Sequence, residues 1–535
     1  MNLRIILNTL GLLFILLGTL MLVPGIVAAT YREPLGVVAF AFSSLIAISA
    51  GIVMGRFGIR GEMSHKDAFA TVSLSWLLAA VLGALPYIFL GFGPVDAIFE
   101  SMSGFTTAGA TLLTQYNSQG YWILDPEQVS GSIAHSFVEM VAYHLQNYLH
   151  DGTLTFDFGI TLDTKELLFA KGTYFGLLFW RSFSQLLGGL GIILLFIAVL
   201  PNLGVAGREL YSVEGMGLTK EALTPRVRDT AKAFWGIYLG MVVLEALLLI
   251  VAGLPIYDAL CTSFSSMATG GFSPKAYSIA SYNSVFIEAI VCIFLLMGGT
   301  NFIIYYQITL KRDMTRLIND AEFRFYIFIM TVSVLILMIW GRIPGEIPAQ
   351  LRSAIFQVVS TMTTTGFVNN FNYDTWSLVA KFSLVLLMIV GGCTGSTGGG
   401  IKVGRILIIL KYTYNELIRS LHPKAVMTMR IGDRIVGEST VKSVLLFVQL
   451  YLLILLCASL LFAITESGNP QFNAISAISA AASCMGVVGP GFGIVALDFS
   501  GISVYGRILG LSCMYIGRLE ILPVILLLLP ETWRR

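Results

Sequence analysis

Charge is what this chain has least of. Only 12% of its 535 residues are Asp, Glu, Lys or Arg, whereas 56% are hydrophobic and the mean hydropathy is +0.81. A soluble domain carries roughly a quarter charged residues, so a water-facing globular surface is excluded and an all-α polytopic membrane protein is implied. The formal net charge of +2 excludes the basic footprint of a nucleic-acid binder. Histidine is scarce as well: the five, His65, His135, His144, His150 and His422, fall outside the apolar runs. Neither HExxH nor GxSxG occurs, so a membrane protease or transferase would lack its clustered bases and nucleophiles, and the chain does not read as an enzyme. The six cysteines (Cys261, Cys292, Cys393, Cys457, Cys484, Cys513) lie in or beside apolar runs without CxxC or CxxH spacing. They read as small buried side chains rather than disulfides or metal ligands.

Long apolar runs take the place of charge. The first, MNLRIILNTLGLLFILLGTLMLVPGIVAA, imitates a signal peptide, but its apolar core outruns an h-region and LGVVAFAFSSLIAISAGIVMG follows at once. An uncleaved first span is expected. Further runs near 68–91, 173–200, 233–254, 284–310, 324–341, 376–411, 440–465 and 502–530 bring the total to roughly ten spans. The connections GRFGIRGEMSHK, GRELYSVEGMGLTKEALTPRVRDTAK, KRDMTRLINDAEFR and 411–442 are rich in Lys and Arg. The positive-inside rule puts them, with both termini (MNLR and TWRR), in the cytoplasm of a cell (inner) membrane protein whose first partner is lipid.

The connections poor in Lys and Arg hold a repeat. DAIFESMSGFTTAGA from Asp96, DALCTSFSSMATGGF from Asp258, SAIFQVVSTMTTTGF from Ser353 and SAISAAASCMGVVGP from Ser476 share alanine second and Ile or Leu third. A glycine falls thirteen residues after the first in all four: Gly109, Gly271, Gly366 and Gly489. Each copy begins as an apolar helix too short to span and turns into a stretch of small residues, so span, re-entrant helix, extended stretch and span recur four times. Four such hairpins in one chain can surround a single axis. An ion crossing a bilayer exchanges its hydration shell for protein oxygens, and glycine-relieved extended segments supply rings of carbonyls. The short helices would turn their partially negative C-terminal ends toward an entering cation.

These motifs together with GGCTGSTGGGIK, VVGPGFG and GRLEILP resemble the Trk, Ktr and HKT superfamily of potassium transporters over nearly the whole chain, and most closely its bacterial Trk type. The resemblance implies two N-terminal helices followed by four helix–pore-loop–helix repeats around one central pore. The corresponding division is 1–60, 61–205 with an extracytoplasmic insert about 121–172, 206–312, 313–415 and 416–535. It implies a potassium filter made of Thr107, Ala108 and Gly109, Thr269, Gly270 and Gly271, Thr364, Thr365 and Gly366, and Val487, Val488 and Gly489. Glycine in all four repeats goes with potassium, whereas a serine in the first marks sodium-preferring relatives. Potassium is thus the expected substrate, with no other cofactor. A homodimer and a separate cytoplasmic ring of nucleotide-binding regulatory subunits are the expected partners. Two features depart from the family pattern: the insert, which reads as decoration rather than a lid, and the apolar GVVG of the fourth filter.

Residues 391–400, GGCTGSTGGG, interrupt what would be one long helix. Non-helical backbone at membrane depth survives only inside protein or beside a water-filled cavity. A phosphate loop is rejected because Lys402 follows Ile401 and precedes Val403 instead of sitting in G-K-[ST]. The resemblance implies an intramembrane gate across the pore: Gly391, Gly392, Thr394, Gly395, Ser396, Thr397, Gly398, Gly399 and Gly400. Arg518 is expected to reach the carbonyls of this loop, because a charge near the bilayer centre costs about 2.5 to 3.5 kcal/mol unless it finds partners. Glu520, two positions on, faces another way and is not its expected partner. Arg181 and Lys402 sit near the ends of their runs and read as interface residues. A channel-like uniporter needs only a filter and a gate, whereas a sodium- or proton-coupled symporter needs a second ion site, for which the intramembrane acids are Glu100 and Glu245.

Overall fold

The computed structural model describes residues 2–59, 61, 64–124, 133, 135–136, 153–156, 160–163, 173–198, 227–311, 315–422, 428–432 and 434–530. Most of the 121–172 insert, the connection 199–226, residues 312–314 and 423–427 and the TWRR terminus lie outside the described residues. The described chain is helical, apart from two short hairpins that pair Thr153–Phe156 with Ile160–Asp163 and Arg430–Ile431 with Arg434–Ile435. Helix is the outcome hydrocarbon imposes, because it satisfies every interior backbone group within one segment.

Among the described residues, six helices are long and apolar enough to cross a bilayer unbroken: Leu3–Thr30, Pro34–Phe57, Phe69–Phe89, Lys232–Val251, Ala321–Trp340 and Glu438–Thr465. A seventh apolar run forms the continuous helix Phe175–Ala198. The other three are broken midway. Val285–Gly298 and Phe302–Thr309 meet at 93°, Leu378–Val390 and Val403–Leu421 flank the glycine-rich loop, and Val504–Arg518 stops before Leu522–Leu528. The ten runs are present; two of the three breaks fall at glycine-containing stretches, and the third, Leu519–Ile521, turns through positive φ at Glu520 and Ile521.

The two N-terminal spans pack through facing small residues. A Cβ on Gly11 would come 2.7 Å from the Gly51 carbonyl oxygen, and one on Gly51 would come 2.6 Å from that of Gly11, an approach of backbones only small residues permit. The four short helices are Pro94–Phe105, Ile256–Met267, Ile347–Met362 and Ala474–Gly486. At 12 to 16 residues they run about 18 to 24 Å, short of the roughly 30 Å hydrocarbon core. Pro94 and Pro348 occupy first-turn positions, where the missing N–H costs nothing, and the Asn473 side chain caps the fourth.

Candidate functional site

All four short helices end in the same way. Thr107, Thr269, Thr364 and Val487 take φ of 57°, 51°, 59° and 59°, the left-handed region that non-glycine residues rarely enter. They are four of the ten non-glycine residues with positive φ among the described residues, so left-handed strain concentrates at one repeat position. The next residue returns to negative φ, and the glycine after it is left-handed again, with φ of 74°, 78°, 81° and 104° at Gly109, Gly271, Gly366 and Gly489. The fourth stretch lacks hydroxyls but keeps this backbone, because the conformation is set by the main chain and the glycine.

The four stretches meet head to tail. A Cβ built on Gly109 would overlap the carbonyl oxygen of Gly270, one on Gly271 that of Thr365 and one on Gly366 that of Val488. A Cβ on Gly489 would lie 2.6 Å from the carbonyl oxygen of Ala108, which returns to the first stretch. Each glycine therefore abuts the residue that precedes the next glycine, and the circuit closes after four steps. A cavity of about 50 Å³, room for a few waters, is lined by Gly109, Gly271 and Gly366 together with Thr111, Lys275 and Pro490.

A feature the sequence reading passed over fastens these stretches. The residue seven after the first of each repeat is serine in all four: Ser103, Ser265, Ser360 and Ser483. Their backbone carbonyls accept the N–H of Ala108, Gly270, Thr365 and Val488 at 2.7 to 2.9 Å. The Ser360 hydroxyl also donates to the Phe367 carbonyl at 2.7 Å and that of Ser483 to the Gly489 carbonyl at 2.6 Å. The signal was legible in the same alignment that located the glycines.

Arg181 requires a correction: it is 1% exposed and not an interface residue. Its Nε meets Glu100 Oε2 at 3.1 Å, its Nη2 donates to Thr111 Oγ1 at 2.8 Å, and its guanidinium lies 4.0 Å from the Phe272 ring centroid. Glu100 in turn accepts from the Thr111 hydroxyl at 2.8 Å and the Leu112 N–H at 2.6 Å. A charge this deep is tolerated because it is paired and hydrogen-bonded. Glu245, the other acid considered as an ion site, is fully buried in Val227–Val251, and neither of its carboxyl oxygens has a hydrogen-bond partner among the described residues.

The glycine-rich loop lies under the ring. Thr397 Oγ1 donates to the carbonyls of Met267 at 3.1 Å and Gly298 at 3.2 Å and meets Thr269 Oγ1 at 3.1 Å. The Gly399 N–H donates to Thr364 Oγ1 at 2.7 Å, and a Cβ on Gly399 would strike the Gly486 carbonyl. Left-handed φ of 71°, 73° and 71° at Gly391, Gly395 and Gly400 lets the chain fold back, so that the Ile401 N–H reaches the Ile389 carbonyl at 2.7 Å. Arg518, 2% exposed, donates from Nη1 to the Thr397 carbonyl at 2.7 Å and from Nη2 to the Gly188 carbonyl at 3.2 Å. Glu520 pairs with Arg405 at 2.6 Å. Lys402 is the second correction: it is 3% exposed, and its Nζ donates to the Gly398 carbonyl inside the loop. Glu322 escaped the sequence reading. Buried in the first turn of Ala321–Trp340, it accepts the N–H groups of Thr394 at 2.6 Å and Gly404 at 2.9 Å and so pins both the loop and the helix after it. The break at Asn301 faces the same loop, since the Phe302 N–H donates to the Gly395 carbonyl at 3.1 Å. Among the described residues no three His, Cys, Asp or Glu side chains cluster as metal ligands, so oxygens of backbone and hydroxyl are what this site offers.

Comparison with known proteins places the chain in a family. Residues 173–533 match the family model of TrkH, described as a cation transport protein. The chain is 34% identical to the Trk system potassium uptake protein TrkH of Salmonella typhimurium and 33% identical to that of Escherichia coli, with 100% of both chains covered in each case. The crystal structure of the potassium transporter TrkH from Vibrio parahaemolyticus superimposes with a TM-score of 0.81 at 30% identity, again over 100% of both chains. The chain therefore belongs to the TrkH family of cation transport proteins, as a membrane subunit of the Trk type.

Proposed function

We propose that this multi-pass membrane protein takes up potassium through the ring of Gly109, Gly271, Gly366 and Gly489, and that residues 391–400 with Arg518 gate the path beneath it. Potassium uptake follows from the named relatives. The filter assignment rests above all on the closed head-to-tail circuit of the four glycines, because a carbonyl ring on one axis is what replaces a hydration shell. Side chains of the three threonine-containing stretches add hydroxyls, and the fourth contributes carbonyls alone. The chain divides into helices 1–60 and repeats 61–205, 206–312, 313–415 and 416–535, with both termini cytoplasmic. Its cytoplasmic side docks a ring of nucleotide-binding regulatory subunits, and two copies form the working homodimer.

The test is selectivity. Gly109→Ser adds a Cβ where the Gly270 carbonyl already sits and places a hydroxyl in the ring, so the potassium-over-sodium flux ratio, read per folded protein in proteoliposomes, should fall. Unchanged selectivity defeats the assignment. A second reading, proton- or sodium-coupled symport, is favoured by the buried, unpartnered carboxyl of Glu245. Flux under an imposed pH or sodium gradient decides it, and Glu245→Gln should abolish any coupling found.

A further inference from the structure

The four stretches of the ring are fastened in two different ways. In repeats three and four the serine of the repeat's own short helix bonds the strand through its hydroxyl. In repeats one and two the equivalent hydroxyls, those of Ser103 and Ser265, have no partner among the described residues. The helix Phe175–Ala198 takes over that task. Arg181 and Gln185 lie one turn apart on one face of it, the first behind the strand that follows Gly109 through Glu100 and Thr111, the second behind Gly271. Gln185 is fully buried. Its amide Nε2 donates to the Gly270 carbonyl at 2.6 Å, and its Oε1 accepts the Phe272 N–H at 3.1 Å. The two bonds straddle Gly271, and the bonded carbonyl is the one the Gly109 Cα abuts.

We infer that Gln185 is a specificity-determining positioning residue: its side-chain amide splints the second filter stretch from behind and holds the first and second stretches at the spacing that favours potassium over the smaller sodium ion. The inference rests on reading the ring as the filter. A glutamine does this where a serine cannot, since one amide supplies both a donor and an acceptor in a fixed plane and reaches across from another helix. Without it the Gly270 carbonyl and the Phe272 N–H are two buried groups lacking their partner, and the strand is free to relax toward other donors. A relaxed stretch adapts to a smaller ion, so selectivity is lost before conduction.

The experiment compares full-length variants in proteoliposomes, reading potassium and sodium flux per folded protein. Gln185→Met keeps the volume and removes both bonds; Gln185→Asn keeps the amide but shortens its reach. Leu186→Ala, on the same helix and buried, is the packing control, and Gly271→Ser tests the ring itself. The expected result is a roughly tenfold loss of potassium-over-sodium discrimination in Gln185→Met, with a smaller loss in Gln185→Asn. Leu186→Ala should keep the wild-type ratio even if less of it folds. Should Gln185→Met fail to fold, the Gln185→Asn ratio carries the decision. A wild-type ratio in the folded Gln185 variants alongside an altered one in Gly271→Ser overturns the splint and leaves the filter standing. A wild-type ratio in all of them overturns the filter reading as well.

Discussion

Replacing Arg518 by alanine removes a hydrogen bond that ties the glycine-rich loop to the helix Val504–Arg518. The guanidinium makes two bonds, but only the 2.7 Å bond to the Thr397 carbonyl holds the loop; the 3.2 Å bond to Gly188 reaches a helix that the loop does not belong to. A hydrogen bond from a charged group is worth about 1.5 to 3 kcal/mol, so the closed arrangement should lose about that much relative to an open one. At 1.4 kcal/mol per factor of ten, the ratio of closed to open loops falls by about 10- to 150-fold. With the ring as the proposed cation path, removal of the positive charge beneath it acts in the same direction. The measurable quantity is basal potassium flux per folded protein in proteoliposomes without any regulatory subunit. It should rise until the open fraction saturates, and Arg518→Lys, with a single ammonium in place of a two-pronged fork, should fall between. Partial deletion of 391–400 should raise flux too, and the combination should be less than additive, because the two changes share the Thr397 contact. If both variants fold normally and conduct no more than the wild type, the loop is packing and not a gate.

Gly366→Ala drives a Cβ into the Val488 carbonyl and Pro490 at a φ of 81°, so it should fold with a loss of about 1 to 2 kcal/mol and lose potassium selectivity; retained selectivity would contradict the ring. Glu322→Ala leaves the buried N–H groups of Thr394 and Gly404 without their acceptor, each worth about 1 to 3 kcal/mol. Basal flux should rise and the Tm fall together, and a lowered Tm with unchanged flux would make Glu322 structural only. Glu33, between the first two spans, accepts the N–H groups of Phe175 and Gly176, and burial pushes its carboxyl up to about 7 from the ordinary 4.5. The folded state then holds a proton that the unfolded chain releases above pH 4.5, so stability should fall as pH rises from there through about 7, by up to about 3 kcal/mol. Glu33→Gln should flatten that slope in a Tm series from pH 5 to 8, and an unchanged slope would remove Glu33 as its source.

The sequence by itself determined the solvent, the element type and the repeat. Scarcity of charge and ten apolar runs are summed local properties, and in hydrocarbon they leave helix as the answer. The thirteen-residue register found Gly109, Gly271, Gly366 and Gly489 because a position that is left-handed and also lacks room for a Cβ beside the next stretch's carbonyl takes glycine each time it recurs, and the GGCTGSTGGG interruption was visible as glycine where helix was due. The tertiary structure alone decided the partners. Arg181 and Lys402 looked like interface residues because position along a run says only how deep a side chain starts, whereas the carboxylate of Glu100 and the carbonyl of Gly398 decide where it ends. Arg518 meets Thr397 and Gly188 across 121 and 330 residues of sequence, and Gln185 meets Gly270 across 85. Such pairings depend on how four near-equivalent hairpins are rotated about an axis, which no local pattern encodes. Serine recurs at one position in all four repeats, yet its hydroxyl bonds the strand in two and has no partner among the described residues in the other two, where Arg181 and Gln185 of the helix Phe175–Ala198 bond the strand region instead, an asymmetry between repeats that the sequence pattern did not carry.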